Sequence, residues 1–296
     1  MWENANELLQ GVPRIDAALA VGVALTGLAA LIWGRRGGRF RELPGWSAFW
    51  LLFGLLLVCL SRVEPWISFL LLAMWMFAAL RSYFFVAPVR PRDRYAILAT
   101  YLSVPFALWP AFLGSDDMFL ATVPVTLFLF IPVFLSIGFS QEGLLDSVGR
   151  TLLGVLFFVF CVAHLGLLVH IEPRGLLELF GILVLCAEIP QRLIGRFRPG
   201  AGWLRPTLGI VLSAVLAAAV GYWLGPWCGL VDEDGARAGF LVAIAVTLGA
   251  VVSGAVALDL SQRKAEAWIG RGALLNRIVP AVYAAPVYFH YLNHFA

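Results

Sequence analysis

The sequence has little charge, few cysteines and almost no lysine. Asp, Glu, Lys and Arg together make up 13% of 296 residues, about half the usual share of a soluble domain. That scarcity excludes a charged, disordered chain, and the net charge of +3 excludes an electrostatic grip on nucleic acid. The four cysteines, Cys59, Cys161, Cys186 and Cys228, stand singly in apolar stretches. No CxxC pair, zinc pattern or disulfide framework can be built from them, and they read as small buried hydrophobes. There is no Walker loop and no GxGxxG. No internal repeat, low-complexity tract or Pro/Ser linker divides the chain. The first 14 residues carry Glu3 and Glu7 and no basic region, so they do not read as a cleavable signal peptide.

What is abundant is apolar surface, at 61% of residues and with a mean hydropathy of +0.88. A soluble globule of this size could not hide so much. Ten apolar runs stand out, at 17–33, 46–60, 66–80, 95–113, 119–139, 151–169, 175–190, 207–224, 239–258 and 274–290. Each reads as a helix, because an open strand cannot satisfy its backbone in lipid. Runs shorter than the ~20 residues of a full span need their flanks to extend them. The expectation is an all-α polytopic membrane helix bundle of about ten transmembrane helices, forming one membrane domain over residues 1–296.

The cations test that count. Of 21 basic residues, 20 are Arg, and Lys264 is the only lysine. If the connections alternate sides, those after runs 1, 3, 5, 7 and 9 hold 16 of them, and the other side holds Arg14, Arg62, Arg174 and Arg237. Arg277 falls inside the tenth run. A single missed helix would scramble this asymmetry. Positive charge stays in the cytoplasm, so both termini and the acidic stretch Asp232-Glu233-Asp234 are expected outside. The location implied is an inner (plasma) membrane of bacterial type.

Ionisable groups at membrane depth are costly and mark cavities or partners. The candidates are His164, Glu178, Glu188, Asp259 and Arg277. Arg192 follows Glu188 by one helical turn, the favourable order for an ion pair. The plainest reading is that the two neutralise each other at a helix end. His164 reads as a helix–helix hydrogen-bond donor rather than a ligand, and Glu178 as a capping or snorkelling group. His290 and His294 lie one turn apart in the last seven residues, outside the apolar core. Gly270-Arg271-Gly272 is a short glycine-flanked turn.

The stretch 248–290, LGAVVSGAVALDLSQRKAEAWIGRGALLNRIVPAVYAAPVYF with its neighbours, resembles the phosphatidate cytidylyltransferase (CDP-diacylglycerol synthase) family. The family signature runs GDLxxSxxKR, then KDxGxxxPGHGGxLDRxDS, and ends in AAPVFF. Without a gap, Ser253 falls on its serine, Gly270 and Gly272 on two glycines, and Leu275-Asn276-Arg277-Ile278 on LDRI. Ala284 to Phe289 fall on the terminal run. Upstream, Glu188 to Arg196 is similar to the family segment NDxxxYxxGR, so 174–296 carries the family-like motifs. The resemblance implies a bundle with a site at the cytoplasmic ends of runs 7, 9 and 10. It also implies a dimer.

The departures concern charge. The family reaction joins CTP to phosphatidate, with carboxylates holding divalent cations. At the aligned acidic positions this chain has Gly249, Arg263, Asn276 and Val279, and the signature histidine is Arg271. Only Glu188 keeps a carboxylate. Such a site repels a divalent cation and suits a phosphate, which Arg grips with a bidentate fork. The resemblance, with these losses, implies a catalytically silent relative without cofactor. Its relic-site candidates are Glu188, Ser253, Asn276 and Arg277, and Arg192, Arg196, Arg263, Arg271 and Arg277 are its lipid- or phosphate-binding candidates. Its partners would be a phospholipid, phosphatidate in particular, and a second subunit, as a homodimer or a heterodimer with an active paralogue. The missing acids count against CTP. The alternatives are an enzyme with altered ligands, the only case that calls for Mg²⁺, and a lipid carrier.

Overall fold

The computed structural model describes residues 2–34, 43–87, 94–136, 143–171, 175–197, 204–263 and 275–296. Ten helices follow one another: α1 (Trp2–Gly34), α2 (Leu43–Arg62), α3 (Pro65–Val86), α4 (Arg94–Phe112), α5 (Asp116–Ser136), α6 (Leu144–Leu168), α7 (Leu176–Phe197), α8 (Leu204–Leu224), α9 (Asp232–Arg263) and α10 (Leu275–Phe295). A wider π-helical turn, Leu156–Cys161, interrupts α6, and a short 3₁₀ turn, Gly225–Cys228, follows α8. Among the described residues there is no strand, and eight helices are long and apolar enough to cross a bilayer. The chain is a polytopic all-α membrane protein. The two helices outside that apolar set are α7, with Glu178, Glu188, Arg192 and Arg196, and α10, with its Tyr and His residues.

Every apolar run coincides with a helix, but several helices overrun their runs. In lipid and headgroup alike, a helix that continues satisfies its own backbone, whereas a loop does not. Arg192 and Arg196, expected beyond the seventh run, therefore sit in the last turns of α7. The stretch Asp232-Glu233-Asp234 is the first turn of α9 rather than a loop. Acids there face the positive end of the helix dipole.

The described contacts group the helices into two compact units, each discontinuous in sequence. The first combines residues 1–62, 171–250 and 283–296, and the second combines 63–170 and 251–282.

In the first unit α7 is the central helix. It pairs most extensively with α8 and also meets α1 and α2. Residues 175–188 are buried almost without interruption, so any polar side chain on this stretch is enclosed. Two glycine contacts press α8 onto α9. A Cβ on Gly221 would strike the backbone carbonyl of Gly235, and one on Gly239 would strike that of Ala217. Only residues without a Cβ permit this approach. Gln191 Nε2 also donates to Thr247 Oγ1 at 2.8 Å, and Ser213 Oγ to the Ala187 carbonyl at 2.6 Å.

In the second unit α6 is the enclosed helix, packed among α3, α4 and α5. Gly154 gives Tyr83 its place, since a Cβ there would come within 2.7 Å of the Tyr83 ring. The Tyr83 hydroxyl donates to the Arg150 carbonyl at 2.7 Å.

Candidate functional site

The first unit holds a carboxylate that is 3% exposed, Glu188. One oxygen, Oε2, takes three donors: Trp46 Nε1 at 2.6 Å, Arg192 Nε at 3.1 Å and Trp50 Nε1 at 3.3 Å. The expected ion pair between Glu188 and Arg192 is present. The two indoles come from α2 and were not foreseen. The Arg192 guanidinium carbon also lies 5.3 Å from the centre of the Trp46 ring, so Trp46 contributes both a hydrogen bond and a cation–π face. The other oxygen, Oε1, is buried and has no donor among the described residues.

This arrangement fixes Arg192 more than it exposes Glu188. Neutralisation by a guanidinium and two N–H groups lets a carboxylate stay charged in a dry place. The Arg192 nitrogen engaged among the described residues is Nε, and the side chain is 22% exposed. Its two terminal nitrogens thus form a pre-ordered fork at the last turns of α7.

A second buried carboxylate lies two to three turns earlier on the same helix. Glu178, in the first turn of α7, is 0% exposed, so it does not snorkel. Its Oε1 accepts from the Ser61 hydroxyl, and its Oε2 is buried without a donor among the described residues. The charges of Asp16 and Arg62 act on it, and these two form their own ion pair at 2.5 Å. The same end of α7 receives two further bonds to backbone. Cys228 Sγ donates to the Gly175 carbonyl at 3.4 Å, and the Tyr288 hydroxyl donates to that of Leu176 at 3.1 Å. Gly175 holds φ at +102°, a turn that glycine adopts freely. Asp16, Ser61 and Arg62 were not singled out in the sequence. The only available signal was an Asp and an Arg at the ends of apolar runs.

The second unit holds His164, Ser253 and Arg277. His164 is 0% exposed, and its Nδ1 donates at 2.8 Å to the carbonyl of Phe160, one turn back in its own helix. Phe119 and Phe160 present edges to the ring, at centroid distances of 4.9 and 4.7 Å. Ser253 is buried on α9, and Arg277 is half-buried in the first turn of α10. A cavity of about 400 Å³ in this unit is lined by Tyr83, Asp146, Arg150 and Asp259 among others. Arg150 and Asp146 pair one turn apart on α6 at 2.7 Å.

Arg196, Arg263 and Asn276 lie on described helical backbone, and Arg271 lies outside the described residues. Among the described residues no group of three or more His, Cys, Asp and Glu is placed to hold a metal ion. The structure thus joins Glu188 to Arg192 in one unit and assigns His164, Ser253 and Arg277 to the other.

The chain is similar to a protein of Escherichia coli strain K12 called uncharacterized protein YnbB, at 26% identity over 81% of this chain and 84% of that one. No family model matches it, and no solved structure matches it.

Proposed function

We propose that this protein is a catalytically silent relative of the phosphatidate cytidylyltransferases that binds an anionic phospholipid at the Arg-rich ends of its helices, alone or paired with an active paralogue. The observation that carries the reading is the state of Glu188. It is the one carboxylate left at the family's acidic positions, and it is committed to Arg192 and two indoles. A phosphate would meet the outward fork of Arg192 in the bidentate geometry that guanidinium favours. Arg196 follows one turn later on the same helix, and the family resemblance adds Arg263, Arg271 and Arg277 as further phosphate-binding candidates. Ten helices and the uneven loop charge further support a plasma-membrane protein of bacterial type with this end in the cytoplasm and both termini outside.

Purified protein given CTP, phosphatidate and Mg²⁺ is expected to release no CDP-diacylglycerol. It is expected to retain phosphatidate in native mass spectrometry, and Arg192→Ala to weaken retention about tenfold, the worth of one charge-assisted pair. Arg271→Ala and Arg277→Ala are expected to weaken it while leaving orientation intact. A cysteine at Gly200 is expected to resist labelling from outside intact cells. One at Asp232, exposed at the start of α9, is expected to react. Gly235 is unsuitable for that test, because it packs against Gly221.

The second reading, an enzyme with altered ligands, draws on the spare Oε1 of Glu188. Turnover that is lost in Glu188→Gln would establish it and overturn the silent reading.

A further inference from the structure

The end of α7 opposite Arg192 carries a different kind of site. A groove of about 800 Å³ runs between α1 and α2, floored by small residues including Ala20, Ala24, Gly27, Ala48 and Gly54. It reaches from Asp16 to Leu31 along α1, which at 1.5 Å per residue is ~22 Å, longer than the ~15 Å of one leaflet's hydrocarbon. Among the described residues its lining is apolar except for Ser47 and, at one end, Asp16. The groove is therefore chain-shaped, with Asp16 at one terminus.

That terminus has unmet acceptors. Asp16 Oδ2 holds Arg62 at 2.5 Å, while Asp16 Oδ1 is buried without a donor among the described residues. Behind it Glu178, 0% exposed, has Oε2 in the same condition. Among the described residues two carboxyl groups stand beside one guanidinium and leave two spare acceptor oxygens. An ammonium group offers one positive charge and three donors. It would reach them by a rotation of Asp16, whose side chain is 29% exposed. Arg62, 35% exposed beside it, suits the phosphate that follows an ammonium in a zwitterionic headgroup.

We infer that the α1–α2 groove is a docking site for a phospholipid whose headgroup bears a primary ammonium, with one acyl chain in the groove and the ammonium between Asp16 and Glu178. The site is independent of the anionic-lipid reading, since it shares no residue with it.

The test uses the full chain in detergent and native mass spectrometry with dioleoyl phosphatidylethanolamine, phosphatidylglycerol and phosphatidylcholine. Phosphatidylethanolamine is expected to be retained about tenfold better than the other two, as befits hydrogen bonds to charged acceptors. Asp16→Asn and Glu178→Gln should each bring it close to phosphatidylglycerol. Gly27→Leu fills the groove without touching a charge and should lower retention of all three. Glycerophosphoethanolamine, the same head without chains, should not displace the bound lipid. Equal retention of the three lipids by the wild type would overturn the proposal. So would a preference that survives both charge substitutions, displacement by the chain-free head, or Ala24→Cys dimers in native membranes showing a second copy in the groove.

Discussion

Glu178 and Glu188 are the same residue type on the same helix, ten positions or ~15 Å apart, and both are enclosed. Their solutions differ. Glu188 is met by a guanidinium and two indole N–H groups on one oxygen. Glu178 is met by a serine hydroxyl and a backbone N–H and lies under the mixed charges of Asp16 and Arg62. A buried carboxylate with its own cation is a fixed anchor whose use is to hold that cation in place. One without its own cation is an open acceptor that invites an ammonium. Burial alone does not separate the two, whereas the donors around them do.

The comparison breaks most sharply if Glu188 loses its cation. Arg192→Ala leaves a buried charge with two neutral donors and is expected to cost about 3 kcal/mol, the usual penalty for stripping one partner from a buried pair. The loss would be read as a lower midpoint in thermal unfolding in detergent. Trp46→Phe keeps the ring and removes one donor, and should cost about 1–2 kcal/mol. If Trp46→Phe proved as harmful as Arg192→Ala, the carboxylate would be held mainly by the indoles.

Glu178→Gln should move stability by under about 0.5 kcal/mol, because the amide keeps an acceptor for Ser61 and removes an uncompensated charge. A loss as large as that of Arg192→Ala would mean that Glu178 has a fixed cation after all, and would erase the contrast. A similarly small effect is expected from Arg62→Ala. Its pair with Asp16 is about a third exposed, and such pairs contribute about 0–1 kcal/mol. Comparing it with Asp16→Asn in the same unfolding assay would show which member of the pair the cluster depends on.

Some of this site was legible in the chain. The bond between Glu188 and Arg192 follows from a four-residue spacing, which any helix converts into neighbourhood. Trp46 and Trp50 stand 142 and 138 residues from Glu188, and Ser61 stands 117 from Glu178. No period links such positions, and an apolar run rich in tryptophan does not announce which indole will turn inward. Glu178 was legible only in part for a related reason. Its place near a helix start suggested a capping or snorkelling group, and it does stand in the first turn, but α7 is sheathed on every side at that level, so it cannot snorkel.

The sequence by itself determined the class and the helices. Lipid offers no hydrogen bonds, so each long apolar run had to become a helix whatever its neighbours. Only the tertiary structure decided which helices are central, how segments far apart in the chain combine into two units, and which donors each buried carboxylate receives. Those outcomes depend on side-chain shape and close backbone approach, as at Gly221 and Gly239, where one missing Cβ sets the distance between two helices. Packing of that kind is a property of pairs of surfaces, and one strand of sequence carries only half of each pair.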